Sequence, residues 1–398
     1  MKLAQRVVRV KPSATLTINA KAKALKAKGI QVVNFGVGEP DFDTPQYIQD
    51  AGVKAILGGQ TRYTAVGGTD ELKDAICKSI QNDYGLSYSR ENVLVSCGGK
   101  HALYNLFQAL LDSGDEVIIP SPYWVSYPDM VALADAVPVH VPCRVENSFK
   151  MLPEQLEAAI TPKTRMLIMN SPSNPTGVHY SRADLKALAE VLVRHEDIVI
   201  VSDDIYNRIL FGGCEWVNLP MVEPKLKERT FILNGVSKTY CMTGWRIGYI
   251  LGDADVIKAA VKIQGQSTSN PNSIAQYASA AALGGDQALV KELSDTFEKR
   301  CRYVVDRLTQ MPGVSCPMPQ GAFYVFPNVS AHYGKKAGDR KVTNSLEMAD
   351  YLMEAAHVAV VPGSAFGEDR CIRLSYALSM DDLKEGFDRI AKALSALA

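Results

Sequence analysis

The run NGVSKTYCMTGWRIGY, residues 234–249, carries two charges among Gly, Ser, Thr and aromatic side chains: the ammonium of Lys238 and the guanidinium of Arg246. A lysine whose pKa is lowered by burial or by nearby cations becomes a nucleophile toward a carbonyl carbon. A lysine that follows a strand is equally an ordinary surface residue, so this run alone leaves both readings open. VSDDIY, residues 201–206, ends an apolar run on two carboxylates, Asp203 and Asp204. Adjacent side chains on a strand point to opposite faces, so at most one of the two faces a common cavity. A buried carboxylate needs a cation or a donor beside it; a capping or turn role is the alternative. CGGK, residues 97–100, closes one apolar run and opens another. Two glycines there let the backbone turn tightly and present N–H groups to an anion, although the same residues also serve a plain strand-to-helix turn. The run is neither a P-loop nor a dinucleotide fingerprint. The 6 histidines show no metal-ligand spacing, and too few oxygen ligands accompany Asp203 to suggest a metal, so none is expected.

Those residues follow short branched runs that read as strands. NVLVS precedes CGGK, TRMLIMNSP begins at residue 164, IVIVSDD at 198, TFILNGV at 230 and WRIGYIL at 245, with DEVIIP between. None alternates polar with apolar. Val and Ile content and shortness favour strands over buried helix segments. Helical periodicity separates them, as in KHALYNLFQALL and RADLKALAEVLVRHED. The expectation is a largely parallel sheet covered on both faces by helices. In such sheets ligands gather at the carboxyl ends of the strands, where SCGGKH, NSPSNPTG, SDDIY and NGVSK all fall. After about residue 290 a charge-striped helix leads into GAFYVF, HVAVVPGSAFG and CIRLSYAL, short strands of a smaller α+β unit, and then a final helix capped by a serine. The expected division is 1–42 as a segment packing on the small unit, 43–290 as the large domain and 291–398 as the small domain.

A chain of 398 residues buries a core large enough to need no staples. Its 43 basic and 43 acidic residues give no net charge, so nothing calls for nucleic acid. The 8 cysteines are scattered without a CxxC pair, which suits a reducing compartment; Cys97 reads as a small buried group. No secretory signal and no apolar run long enough for a membrane span are seen, so a cytoplasmic location is expected.

Amine catalysis with phosphate-anchored pyridoxal requires a lysine, a carboxylate for the ring nitrogen, an aromatic to stack on the ring and a phosphate cup. The sequence offers Lys238, Asp203, several aromatics near SPYW, and GGK together with the SK…R run. VGEPDFDTP, TRYTAVGGTDELKDAI, GGKHALYNL, SPYWVSYPDM, NSPSNPTG, VSDDIY, SKTYCMTGWRIGY, GAFYVF and VVPGSAFG occur in this order nearly end to end. On these motifs the chain resembles a fold-type I pyridoxal-phosphate aminotransferase of the aspartate aminotransferase family, in the branch of bacterial aspartate and prephenate aminotransferases.

The resemblance implies a mainly parallel seven-stranded sheet sandwiched by helices plus a smaller α+β domain, with pyridoxal 5'-phosphate as cofactor. By it Lys238 is the lysine that carries the cofactor as an aldimine, and Asp203 pairs with the pyridine nitrogen. Tyr206 and Asn174 bind the ring oxygen, and Trp124 stacks on the ring. Gly99, the Lys100 backbone, Ser237 and Arg246 form the phosphate cup. Tyr63 reaches the phosphate of a neighbouring subunit, which implies a homodimer with shared sites. Arg373 grips the substrate carboxylate with Asn174 and the backbone at Gly38, and the Lys100 side chain, helped by Ser13 and Thr15, suits a second carboxylate. The implied reaction is ping-pong transfer from an L-amino acid, aspartate first, to 2-oxoglutarate. Prephenate, glutamate and aromatic amino acids including kynurenine are alternatives. A carbon–sulfur lyase or a decarboxylase on the same fold is a further one. A ligand-binding regulator would need a DNA-binding segment, for which a match beginning within the first dozen residues leaves no room.

Overall fold

The computed structural model describes residues 1–398. Seven strands form the large sheet in the spatial order Val93–Ser96, Gly248–Leu251, Thr230–Gly235, Val199–Asp203, Thr164–Asn170, Glu116–Ser121 and Val137–Pro142. All neighbouring pairs are parallel except the two made by Gly248–Leu251. Apolar residues fill both faces, which is why the runs show no alternation. Leu94, Val117, Ile119, Val201 and Leu233 pack on one side with Leu103, Leu106 and Phe107 of the helix Gly99–Leu110. Their neighbours turn the other way: Ile118, Leu167 and Ile200 meet Leu185 and Leu188 of the helix Arg182–Leu192, and Val93, Val95 and Ile232 meet Ile76 and Ile80.

The strand Val137–Pro142 lies outside the sequence reading. It carries two prolines and only Val141 is buried, which suits a sheet edge, where a missing N–H leaves no ladder bond open. The expected strand from residue 245 begins only at Gly248, because Thr243–Trp245 is a 3₁₀ turn.

A second core surrounds Phe297, Val304 and Leu308 of the long helix Ala288–Thr309, together with Phe323, Leu352, Leu374 and Phe387. Its three-stranded antiparallel sheet has the order Val361–Pro362, Ile372–Ser375, Tyr324–Val325. The chain's start joins this core: Val33–Asn34 pairs in parallel with Val358–Ala359, and Phe35 packs on Phe387 at 5.2 Å between ring centres. The final helix Met380–Ser395 is capped by Ser379, whose hydroxyl accepts from the Asp382 amide at 3.1 Å, with Asp381 and Asp382 in the first turn. No helix is long and apolar enough to cross a membrane.

Candidate active site

The parallel strands deliver their polar tails to one end of the sheet. Asn170 lies beside Asp203 and Asp203 beside Leu233 in the ladder, and the turn after Gly235 leads to Lys238. On the other side of that strand the chain crosses so closely that a Cβ on Gly248 would sit 2.1 Å from the Gly99 nitrogen; only glycine fits. Gly98 has φ +90°, and a Cβ there would meet Nη2 of Arg246 at 2.3 Å. The two glycines thus bring the N-terminus of the helix Gly99–Leu110 against the loop that carries Lys238 and Arg246.

A cavity of about 310 Å³ opens where these tails meet. Gly38, Gly99, Lys100, Trp124, Asn174, Asp203, Tyr206, Ser237, Lys238, Arg246 and Arg373 all line it. Tyr63 does not; it stands 92% exposed on the surface of the single chain. Ser13 and Thr15, at the start of the helix Ala14–Ala27, form part of the wall.

Lys238 Nζ donates to the Gly38 carbonyl at 2.6 Å. Burial lowers its pKa to about 8, with Arg373 and Arg246 pushing the same way and Glu39 and Asp203 opposing. Asp203, 4% exposed, accepts from the Tyr127 hydroxyl at 2.5 Å and from the Ile205 amide at 3.3 Å. Burial raises its carboxyl to about 6 against these donors. Asp204 points away from the cavity and is held by the Ser202 hydroxyl at 2.6 Å and Asn218 Nδ2 at 3.1 Å, as opposite-facing neighbours require.

Arg373 is 2% exposed. Its Nη1 donates to Asn174 Oδ1 at 3.1 Å and its Nη2 to the Gly36 carbonyl at 2.8 Å, while buried Nε has no partner. The backbone carbonyl it meets is therefore that of Gly36, and Gly38 meets Lys238. Tyr206 pairs its hydroxyl with that of Tyr324 at 3.0 Å. Trp124 lies edge-on to Tyr127, ring centres 5.2 Å apart, and Lys100 Nζ sits 5.0 Å from the Trp124 ring centre. Arg246 donates to the Thr243 carbonyl at 2.9 Å, and Thr243 in turn donates to Glu39 at 2.7 Å.

Tyr127, Tyr324 and Asn170 were not singled out by the sequence reading. Tyr127 stands three residues after Trp124 in SPYWVSYPDM, a spacing that sets both on one side of a turn; Tyr324 sits inside GAFYVF, where an aromatic reads as core.

The arrangement gathers a buried amine, a helix N-terminus with a guanidinium beside it and a buried carboxylate around one opening. Comparison with known proteins agrees with it. The family model for aminotransferase class I and II matches residues 30–390. The chain is 52% identical over 398 residues to an aspartate aminotransferase of Geobacillus stearothermophilus, covering 100% of both. It is 50% identical over 397 residues to an aspartate/prephenate aminotransferase of Nitrosomonas europaea, covering 99% of this chain and 100% of that one. The structure of the aspartate aminotransferase from Rhizobium meliloti superposes with a TM-score of 0.97 at 45% identity, covering 100% of both chains. That of the Thermus thermophilus aspartate aminotransferase with maleate gives 0.93 at 41%, covering 99% of this chain and 100% of that one. With the family model matched over residues 30–390, which span both cores and the residues from Gly38 to Arg373 that line the cavity, the chain belongs to the class I and II aminotransferase family.

Proposed function

We propose that the protein transfers the amino group of L-aspartate to 2-oxoglutarate with pyridoxal 5'-phosphate held in this cavity. One observation carries the reading: the Lys238 amine, the Asp203 carboxylate and the Arg373 guanidinium converge on one cavity that has phosphate donors at its end. The donor set fits the cofactor. Ser237, the helix N-terminus at Gly99 and Arg246 suit a phosphate dianion, and the absence of a Cβ at Gly98 lets the Arg246 guanidinium lie against that helix start. Trp124 supplies a ring face, and Tyr206 with Asn174 supplies polar groups for the ring oxygen.

Bound there, the cofactor supplies a ring that draws electrons from the substrate's Cα–H bond. Asp203, as an anion, keeps a proton on the ring nitrogen. Lys238 Nζ, once free, takes the proton from the substrate's Cα, a role that a pKa near neutrality favours. Arg373 holds the α-carboxylate through its unpartnered Nε and one Nη, a bidentate grip that lysine lacks. Lys100, with Ser13 and Thr15 on the wall, receives the second carboxylate of aspartate or 2-oxoglutarate. The amino acid leaves as its 2-oxo acid, and a second oxo acid accepts the amino group, so two half-reactions share one set of residues.

Residues 43–290 form the cofactor-binding domain in this reading. Residues 291–398 with the segment 1–42 close over it and exclude water. The enzyme is a cytoplasmic homodimer in which Tyr63 completes the phosphate site of the partner. The Nitrosomonas relative is named for two activities, which favours prephenate as a second acceptor. Oxaloacetate formation from L-aspartate and 2-oxoglutarate, followed with a coupled dehydrogenase, tests the first activity. The same assay with L-aspartate and prephenate, which again releases oxaloacetate, tests the second. Turnover that yields pyruvate and ammonia without any oxo acid would replace this reading by the lyase alternative.

A further inference from the structure

We propose that Tyr324 is a positioning residue that ties the two ends of the site together, its hydroxyl orienting Tyr206 and its ring bracing Arg373. The inference rests on the cofactor reading given above. Tyr324 stands opposite Ser375 in the antiparallel pair, and Arg373 lies two residues before Ser375, so Arg373 and Tyr324 share one face of the small sheet. The guanidinium of Arg373 is 4.7 Å from the Tyr324 ring centre and 5.1 Å from that of Phe366, which holds it between two aromatic faces. Tyr324 is 1% exposed, Arg373 2% and Tyr206 3%, so none of these contacts is shared with bulk water.

Proton accounting gives the hydroxyl its role. The two phenol oxygens are 3.0 Å apart, and one must donate while the other accepts. Burial raises both phenols above their ordinary value, so both are neutral at physiological pH. If Tyr206 donates its proton toward the ring oxygen of the cofactor, it must accept from Tyr324. A donor behind it polarises Tyr206 and strengthens its outward hydrogen bond. The loop above packs close to this pair: a Cβ on Gly38 would lie 2.9 Å from the Tyr324 hydroxyl. Gly38 is also the residue whose carbonyl receives Lys238. Tyr324 also belongs to the core of the small unit, so a purely packing role is what the test must separate.

Two variants do so in the cofactor-loaded enzyme. Tyr324→Phe keeps the ring and removes the hydroxyl. With Tyr206 a weaker donor, more negative charge stays on the ring oxygen and the nitrogen of Lys238 holds its proton to higher pH. The pH inflection of the visible absorption band should rise by about 0.5–1 unit, and kcat should fall several-fold with KM within about twofold. Tyr324→Leu removes both features and should add a rise of at least about tenfold in KM for dicarboxylate substrates. An unchanged inflection in Tyr324→Phe overturns the role of the hydroxyl, and an unchanged KM in Tyr324→Leu overturns that of the ring. Thermal melting measured alongside identifies a loss of packing alone, which would lower the melting temperature without moving either readout. If the parent enzyme showed no visible band with pyridoxal 5'-phosphate, the cofactor reading would fail first.

Discussion

At the scale of single residues, burial sets the chemistry. The same desolvation that lowers Lys238 to about 8 raises Asp203 to about 6, so the amine and the carboxyl are drawn toward neutrality from opposite directions. Replacing Lys238 by Ala removes the group assigned to move the Cα proton, and transamination should fall by at least about a thousandfold. Purified variant assayed with aspartate and 2-oxoglutarate checks this. Asp204 gives a pH test outside the cavity. Burial raises its carboxyl to about 8, far above an unfolded aspartate. Its contribution to stability is therefore complete below the unfolded value of about 4 and is lost as pH rises through the folded value. Asp203, Tyr84, Ser202 and Asn218 are the groups that act on it. Asp204→Asn removes this titration. The melting temperature of the variant relative to the parent should climb by a few degrees from about pH 5 to about pH 9 in ligand-free protein. A constant difference would mean that Asp204 is ionised throughout. The residues that the sequence reveals are those whose type is conspicuous where it stands: a lone lysine, paired acids, a double glycine. Tyr127 and Tyr324 escape because an aromatic among apolar neighbours has a core role available to it, and only the fold shows its hydroxyl meeting Asp203 or Tyr206.

Among elements, the strand ends and helix starts do the positioning. Runs such as TRMLIMN and VIVSD are legible because burial on both faces leaves them continuously apolar. The Val137–Pro142 strand is not, because an edge position tolerates prolines and exposed side chains that elsewhere mark a loop. The start of Gly248–Leu251 is hidden in WRIGYIL because Trp245, the last residue of the preceding 3₁₀ turn, is as apolar as the strand. The turn at Gly98 is constrained both by its positive φ and by the Arg246 side chain beside it. Gly98→Ala would force a side chain into φ +90° and against the Arg246 guanidinium. Affinity for pyridoxal 5'-phosphate should drop by about tenfold or more, with a smaller effect on melting temperature. Absorbance titration of ligand-free protein measures it, and an unchanged dissociation constant would show that Arg246 does not serve the phosphate.

For the whole molecule, the proposed homodimer can be tested at an exposed apolar stretch. Val53, Ile56 and Leu57 are exposed on the helix Gln46–Leu57, and Tyr63 follows just beyond it. If Tyr63 completes the partner's site, two inactive variants should rescue each other. Mixed dimers of Lys238→Ala with Tyr63→Ala contain one intact site, built from the lysine of one chain and the tyrosine of the other. Random reassortment of equal amounts should restore about a quarter of the parent activity, provided each parent variant is nearly inactive. No recovery after verified subunit exchange would place Tyr63 outside the site. This arrangement could not be traced from spacing within one chain; it came from the resemblance, and Tyr63 lies away from the cavity of its own subunit.

Most direct of all is to load the protein with pyridoxal 5'-phosphate, reduce it with borohydride and map the digested peptides by mass spectrometry. The account predicts a single pyridoxyl adduct on Lys238, removed by prior addition of excess L-aspartate. An adduct on any other lysine, or none in protein shown by absorbance to be fully loaded, would contradict it.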